Sequence, residues 1–210
     1  MKKIIAKDLL DIQAVFLKPQ DPFTWASGIK SPIYCDNRLT LSYPKVREDV
    51  ENALAEIIRK EYPSCNMVMG TSTAGIAHAA IVATILGFPM GYVRTSSKDH
   101  GRQNQIEGKL IDNAKIVVIE DLISTAGSAV EVVEVLRKEG AEVLGIASIF
   151  TYGMRKATER LAEHNVRNVS ASDYDTLLSV AVAENYIKDS DVEALLHFRN
   201  NPSDESWMLK

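Results

Sequence analysis

Lys115-Ile116-Val117-Val118-Ile119-Glu120-Asp121-Leu122-Ile123-Ser124-Thr125-Ala126-Gly127-Ser128 carries the architecture of this 210-residue chain. An apolar run meets two adjacent acids, then a short apolar step, then small hydroxylated residues around a glycine. A helical pattern follows at once, with Ala129, Val132, Val133 and Leu136 on one face. This order predicts a buried parallel strand, a tight loop at its carboxyl end and a helix start, which is where open α/β sheets bind ligands. The loop's successive N–H groups, the hydroxyls of Ser124, Thr125 and Ser128, and the positive end of the helix suit a phosphate. The carboxylates of Glu120 and Asp121 suit neighbouring hydroxyls or a metal hydrate. A phosphate with a vicinal diol nearby is a ribose 5-phosphate. An ordinary βα turn with an incidental acid pair satisfies the same spacing.

Working outward, the composition is that of a globular protein, 46% hydrophobic and 25% charged. A net charge of −4 gives no global attraction to nucleic acid or an anionic membrane, so an anionic ligand needs a local positive cluster. No apolar run approaches the ~20 residues of a membrane span. The charged start, with Asp8 and Asp11 soon after, argues against a cleavable signal and for a cytoplasmic protein. The two cysteines, Cys35 and Cys65, lack metal-ligand spacing and are expected as buried free thiols. The four histidines are scattered, and no direct metal site is expected on the protein.

Strand–helix alternation runs through the middle of the chain. An amphipathic helix is expected over the first eighteen residues, ending near Pro19 and Pro22, with short strands at Ile33–Cys35 and Arg38–Leu41. A helix begins at Pro44, and its Glu48, Asp49 and Glu51 are expected on the solvent face. Strands at Met67–Gly70, Met90–Arg94, the Ile116 run, Val143–Phe150 and Val166–Val169 alternate with helices at Ala74–Leu86, Ala129–Lys138 and Lys156–His164. Two more helices, Asp175–Tyr186 and Asp191–Phe198, close the chain. This pattern predicts an α/β fold with a mostly parallel sheet covered on both faces. One domain over residues 1–210 is expected, with a small hood from about 1–40 and the C-terminal helices.

Three further segments carry chemistry. Arg94 to Gly108 is almost wholly polar, lies between two buried strands, and clusters Arg94, Lys98, His100 and Arg102. So long a connection is usually functional or disordered, and a basic loop between glycines suits closure over a diphosphate. Phe23 to Asp36 places Lys30 between Gly28 and Pro32 among aromatics, a point charge beside a slot for a flat anionic ring. A surface turn over packed aromatics fits that segment as well. Gly70-Thr71-Ser72-Thr73-Ala74-Gly75 is a strand end opening into a helix, where His78 is expected to face its neighbours rather than to catalyse. No Gly-x-x-x-x-Gly-Lys-[Ser/Thr] or Gly-x-Gly-x-x-Gly run supports a P-loop nucleotidase or a dinucleotide dehydrogenase.

The 115–128 run closely resembles the phosphoribosyl-diphosphate (PRPP) motif of type I phosphoribosyltransferases. The resemblance implies that Glu120 and Asp121 hold the ribose hydroxyls. It also implies that Ser124, Thr125, Ala126, Gly127 and Ser128 wrap the 5′-phosphate, with Leu122 and Ile123 counted among the PRPP-binding residues. Lys98-Asp99-His100-Gly101 resembles the catalytic loop core of the orotate phosphoribosyltransferases. Ser27-Gly28-Ile29-Lys30-Ser31-Pro32 is similar to their base-side signature. By that resemblance Arg94, Lys98 and His100 meet the diphosphate, Thr71 and Ser72 contribute to its loop, and Lys30, Tyr34, Cys35 and Ser124 face orotate. The catalytic set implied is Lys98, His100, Arg94 and Asp121. The chain departs from the family pattern with Glu at 120, Thr at 95 and Ala at 74. It carries Tyr152-Gly153-Met154-Arg155 where many relatives have an orotate-contacting arginine, and Arg155 is left unassigned. The resemblance further implies Mg²⁺ held mainly through PRPP, orotate and PRPP as substrates, and a homodimer sharing the 94–108 loop across subunits. No nucleic acid or membrane partner is expected.

Overall fold

The computed structural model describes residues 1–25, 28–94 and 105–209. Helix α1 (Lys2–Asp11) opens the chain and is followed by two antiparallel ribbons. Strand β1 (Val15–Leu17) pairs with β4 (Ile33–Cys35), and between them β2 (Phe23–Thr24) pairs with β3 (Lys30–Ser31). A 3-10 helix (Asn37–Ser42) leads into α2 (Pro44–Glu61), which has Pro44 at its first position and Arg59 and Lys60 in its last turn. These are the placements that a helix's free N–H groups and its dipole favour.

The central sheet is built from β5 (Met67–Thr71), β6 (Met90–Val93), β7 (Ile106–Glu107), β8 (Lys115–Ile123), β9 (Glu142–Thr151) and β10 (Asn168–Asp173). Its order is β10-β9-β8-β5-β6-β7, parallel throughout except for the β6–β7 pair. Helix α3 (Ala74–Leu86) follows β5, α4 (Gly127–Lys138) follows β8, and α5 (Arg155–Glu163) follows β9. Helices α6 (Tyr174–Ala183) and α7 (Val192–Asn200) complete the chain, and α1 packs on α6.

Strand β8 shows why the sheet is covered on both faces. Ile116, Val117, Val118 and Ile119 are all fully buried. Successive side chains of a strand point to opposite faces. Val117 and Ile119 accordingly join the core with α1, α2, α3, α6 and α7, while Ile116 and Val118 join the one built on α4 and α5. Burying a side chain of this size is worth about 1.5–3 kcal/mol, so a strand lined on both faces anchors the sheet.

Several expectations from sequence are corrected. The first helix ends at Asp11, because Gln13 turns left-handed (φ 58°) and the Gln13 and Ala14 amides bond back to Leu10 and Leu9. The apolar Val15 and Phe16 then form a strand. Residues 38–41 belong to the 3-10 helix, because the Asp36 carboxylate caps the Arg38 amide at 3.2 Å. The last strand begins at Asn168, and hydroxyls hold it from within: Ser148 Oγ lies 2.6 Å from Ser170 Oγ. Strand β7 was not expected. Cys65 is buried but Cys35 is only half-buried.

The largest correction concerns Glu51. It is 1% exposed and its Oε1 lies 2.5 Å from Nδ1 of His78, itself fully buried, so the pair joins α2 to α3. Glu51 sits three and four residues before Leu54 and Ala55, on the buried side of its helix. Burial pushes its pKa up against the opposing pull of His78. Removing one partner of a buried pair is costly, whereas replacing both by apolar groups is often neutral. Glu51→Leu is expected to cost about 3 kcal/mol, roughly a 10 °C fall in Tm, and Glu51→Leu/His78→Leu to regain most of it. Thermal unfolding of the two variants checks this, and a double variant as unstable as the single one would contradict it.

Candidate active site

The carboxyl ends of β5 and β8 meet at one contact. A Cβ on Gly70 would stand 2.8 Å from the Gly75 carbonyl oxygen, and one on Gly75 would collide with the Ile119 carbonyl and stand 2.5 Å from Thr71 Oγ1. Only glycine lets α3 lie this close to the two strands. The Thr71 hydroxyl donates to Glu120 Oε1 at 2.8 Å, and the Asp121 amide donates to the same oxygen at 2.9 Å. Glu120 is 6% exposed, and its position is fixed from both strands. The acids lie inside β8, which runs on to Ile123, so they sit within the strand and the loop starts at Ser124.

Burial is the first cause that pushes the Glu120 pKa well above the usual carboxylate range. The neighbouring Asp121 carboxylate adds to it, and the Thr71 bond opposes. Donors supplied by a ligand would stabilise the charged form.

A third element reaches Asp121 from the other side. The Nδ2 of the fully buried Asn37 donates to the Asp121 carbonyl at 2.7 Å, and its Oδ1 accepts from Cys35 Sγ at 3.2 Å. Burial, then the charges of Asp121 and Asp36, push the Cys35 thiol up, so it is a protonated packing group and not a nucleophile. Tyr34 beside it is 41% exposed. The Lys30 ammonium donates to Thr24 Oγ1 at 2.7 Å across the β2–β3 ribbon. Ser72 Oγ donates to the Val93 carbonyl at 2.6 Å, which ties the loop after β5 to the end of β6.

The loop after β8 turns at Ala126, which has φ 60° and ψ 13°. The left-handed region costs a non-glycine residue roughly 1–2 kcal/mol. The Arg160 guanidinium of α5 donates to the Thr125 carbonyl at 3.0 Å. A cavity of about 410 Å³ opens beside the loop, bounded by Trp25, Ile29, Thr125, Met154 and Arg199. It sits on the Thr125 side of the loop rather than over the acids.

The structure therefore joins Thr71, Glu120 and Asp121 through direct bonds and links Cys35 to Asp121 through Asn37. It places Ser72, Arg94, Leu122, Ile123 and residues 124–128 at the same edge of the sheet. Arg94, expected inside β6, directly follows it, one residue beyond the strand's observed end at Val93, with Nη1 3.6 Å from Glu107 Oε1. Lys98 and His100 lie outside the described residues, but the points where their segment leaves and returns are adjacent: the Arg94 amide bonds the Gln105 carbonyl at 2.9 Å. Sequence reasoning missed Asn37 and Arg160. The Asp36-Asn37 pair closing the base-side segment was a usable signal for the first, whereas nothing local marks the second.

The phosphoribosyl transferase domain pattern matches residues 41–181. The orotate phosphoribosyltransferase of Bacillus cytotoxicus is 55% identical over 208 residues, 99% of each chain. The crystal structure of orotate phosphoribosyltransferase from Aeropyrum pernix superposes with a TM-score of 0.74 at 32% identity, over 83% of this chain and 96% of that one. The structure of Leishmania donovani UMP synthase gives 0.79 at 26% identity over 94% of this chain, which spans only 42% of that longer protein. The fold and the PRPP-type loop define the class, that of a phosphoribosyl transferase. Within that class, the chain belongs to the orotate phosphoribosyltransferase family.

Gly75→Ala is expected to destabilise by about 2–3 kcal/mol, because its new methyl meets backbone that has nowhere to go. A Tm within a degree of the parent would contradict the contact. The raised Glu120 pKa means that the folded state holds more protons than the unfolded chain between the ordinary carboxylate value of 4.5 and the raised one. Its contribution to stability therefore falls as pH rises through that window. Tm measured from pH 5 to 8 is expected to decline less steeply in Glu120→Gln than in the parent, and parallel profiles would refute the assignment.

Proposed function

We infer that this protein transfers the ribose 5-phosphate group of PRPP to orotate, giving orotidine 5′-monophosphate and diphosphate, in de novo pyrimidine synthesis. The observation that carries the reading is the Glu120–Asp121 pair at the end of β8, running directly into the small-residue loop that opens α4. Acids at one end of a short segment and free N–H groups at the other match a sugar diol and a 5′-phosphate. Family membership supports orotate as the base.

Breaking the ribose C1–O bond leaves positive charge on the sugar and adds negative charge to the departing diphosphate, while a ring nitrogen of orotate bonds to C1. Glu120 and Asp121 orient the ribose hydroxyls and lie near the developing cation. Arg94, Lys98 and His100 stabilise the leaving group, and His100 in its protonated form donates to it. Thr71 and Ser72 add hydroxyl and backbone contacts there. Lys30, Tyr34, Cys35 and Ser124 form the orotate side. The cavity beside Trp25 and Ile29 borders the same loop at Thr125, and none of these four residues lines it.

Among the described residues no group of three or more His, Cys, Asp or Glu side chains is arranged to hold a metal. One oxygen of Glu120 is already occupied by Thr71 and the Asp121 amide. This donor set fits Mg²⁺ that arrives with the diphosphate as part of the substrate, neutralising charge on the leaving group. The reading includes a homodimer that shares the 94–108 loop and residues 1–210 acting as one domain in the cytoplasm, with no nucleic acid or membrane partner. Among the described residues no helix is long and apolar enough to cross a membrane.

Orotate consumption, followed by ultraviolet absorbance with purified protein, PRPP and Mg²⁺, is expected to require all three. Turnover with hypoxanthine, guanine, adenine or uracil in place of orotate would keep the fold and overturn the base.

A further inference from the structure

The loop that wraps the 5′-phosphate turns on an alanine. Ala126 is 4% exposed and adopts the left-handed conformation that glycine adopts without steric cost. Its carbonyl already accepts the Val130 amide at 3.1 Å and so starts α4. The preceding carbonyl, that of Thr125, points out of the helix. The left-handed region is unfavourable for a residue with a Cβ, so the turn is held against the preference of its own backbone.

Arg160 braces the peptide before this turn. It is half-buried in the last turn of α5, and its Nη1 donates to the Thr125 carbonyl at 3.0 Å. It lies over Gly127, where a Cβ would stand 2.9 Å from Nη1. Helix α5 packs on α4, so the guanidinium is delivered from a fixed body. A charged donor on a carbonyl is a strong hydrogen bond, and here it acts on a residue held against its own backbone preference.

We propose that Arg160 is a positioning residue for the PRPP loop: lying over Gly127, it clamps the Thr125 carbonyl and keeps Ala126 left-handed, so that the loop's N–H groups meet the 5′-phosphate. The proposal rests on the reading above that this loop binds that phosphate. Arg160 does not touch the substrate and acts through the loop geometry, with its charge a secondary aid.

The test is a cycle on the full-length enzyme with Arg160→Ala, Arg160→Lys, Ala126→Gly and Arg160→Ala/Ala126→Gly. KM for PRPP, KM for orotate, kcat and Tm are measured for each. Arg160→Ala is expected to raise KM for PRPP about tenfold, the size of one lost charge-assisted hydrogen bond, while KM for orotate and kcat stay within about twofold. Arg160→Lys is expected to fall between, and it stands in if the alanine variant does not fold. In the Ala126→Gly background the Arg160→Ala loss is expected to shrink to about threefold or less, because glycine holds the turn unaided and the two changes are therefore non-additive. Equal losses for both substrates, or a loss of the same size in the glycine background, would overturn the clamp. If no base were turned over, the functional reading would fail separately, and the Tm cycle would still decide the clamp: additive falls in Tm would refute it.

Discussion

The close approach of the Gly75 backbone to the Ile119 carbonyl governs the rest of the site. Because neither Gly70 nor Gly75 carries a side chain, α3 lies directly on β5 and β8. Thr71 can then reach across to Glu120, and the acid that would meet the ribose is held in the strand rather than in a mobile loop. Asn37 bonds the Asp121 carbonyl, so the segment that follows β4 is tied to β8 as well. A preorganised group does not have to be ordered again when substrate arrives, which is the larger part of what such a site contributes.

A second polar couple lies behind this contact. Glu51 and His78 join α2 to α3 about one turn below the loop that opens α3. Their pairing fixes how α3 is rotated on α2, and α3 presents Gly75 to the strands. The loop after β8 is supported by Arg160 of α5. The two loops are thus braced by different helices, one on each face of the sheet.

The sheet was legible because its strands are buried on both faces and read as unbroken apolar runs, above all Ile116 to Ile119. The acid pair and the loop were legible because they follow that run in sequence. The partners were less so. Asn37 bonds a residue 84 positions away, His78 one 27 away and Arg160 one 35 away. A glutamate among charged neighbours, such as Glu51, reads as solvent-facing until the opposing helix is known. Val15 and Phe16 continue a helical spacing by coincidence; the left-handed turn at Gln13 and pairing with Cys35 and Tyr34 make them a strand. The short β7 carries too few residues to show a period.

The aromatic groups around the base side form a continuous chain. Trp207 meets Phe198 at 5.9 Å, Phe198 meets Trp25 at 5.7 Å, and Trp25 meets Tyr152 at 6.1 Å. The sequence contains two tryptophans, and this chain includes both. Trp207 is sealed at 1% exposure, while Trp25 is half-buried and borders the cavity next to Thr125. Of the two tryptophans, Trp25 is therefore the one that a molecule entering the cavity would meet, while Trp207 is closed off behind Phe198.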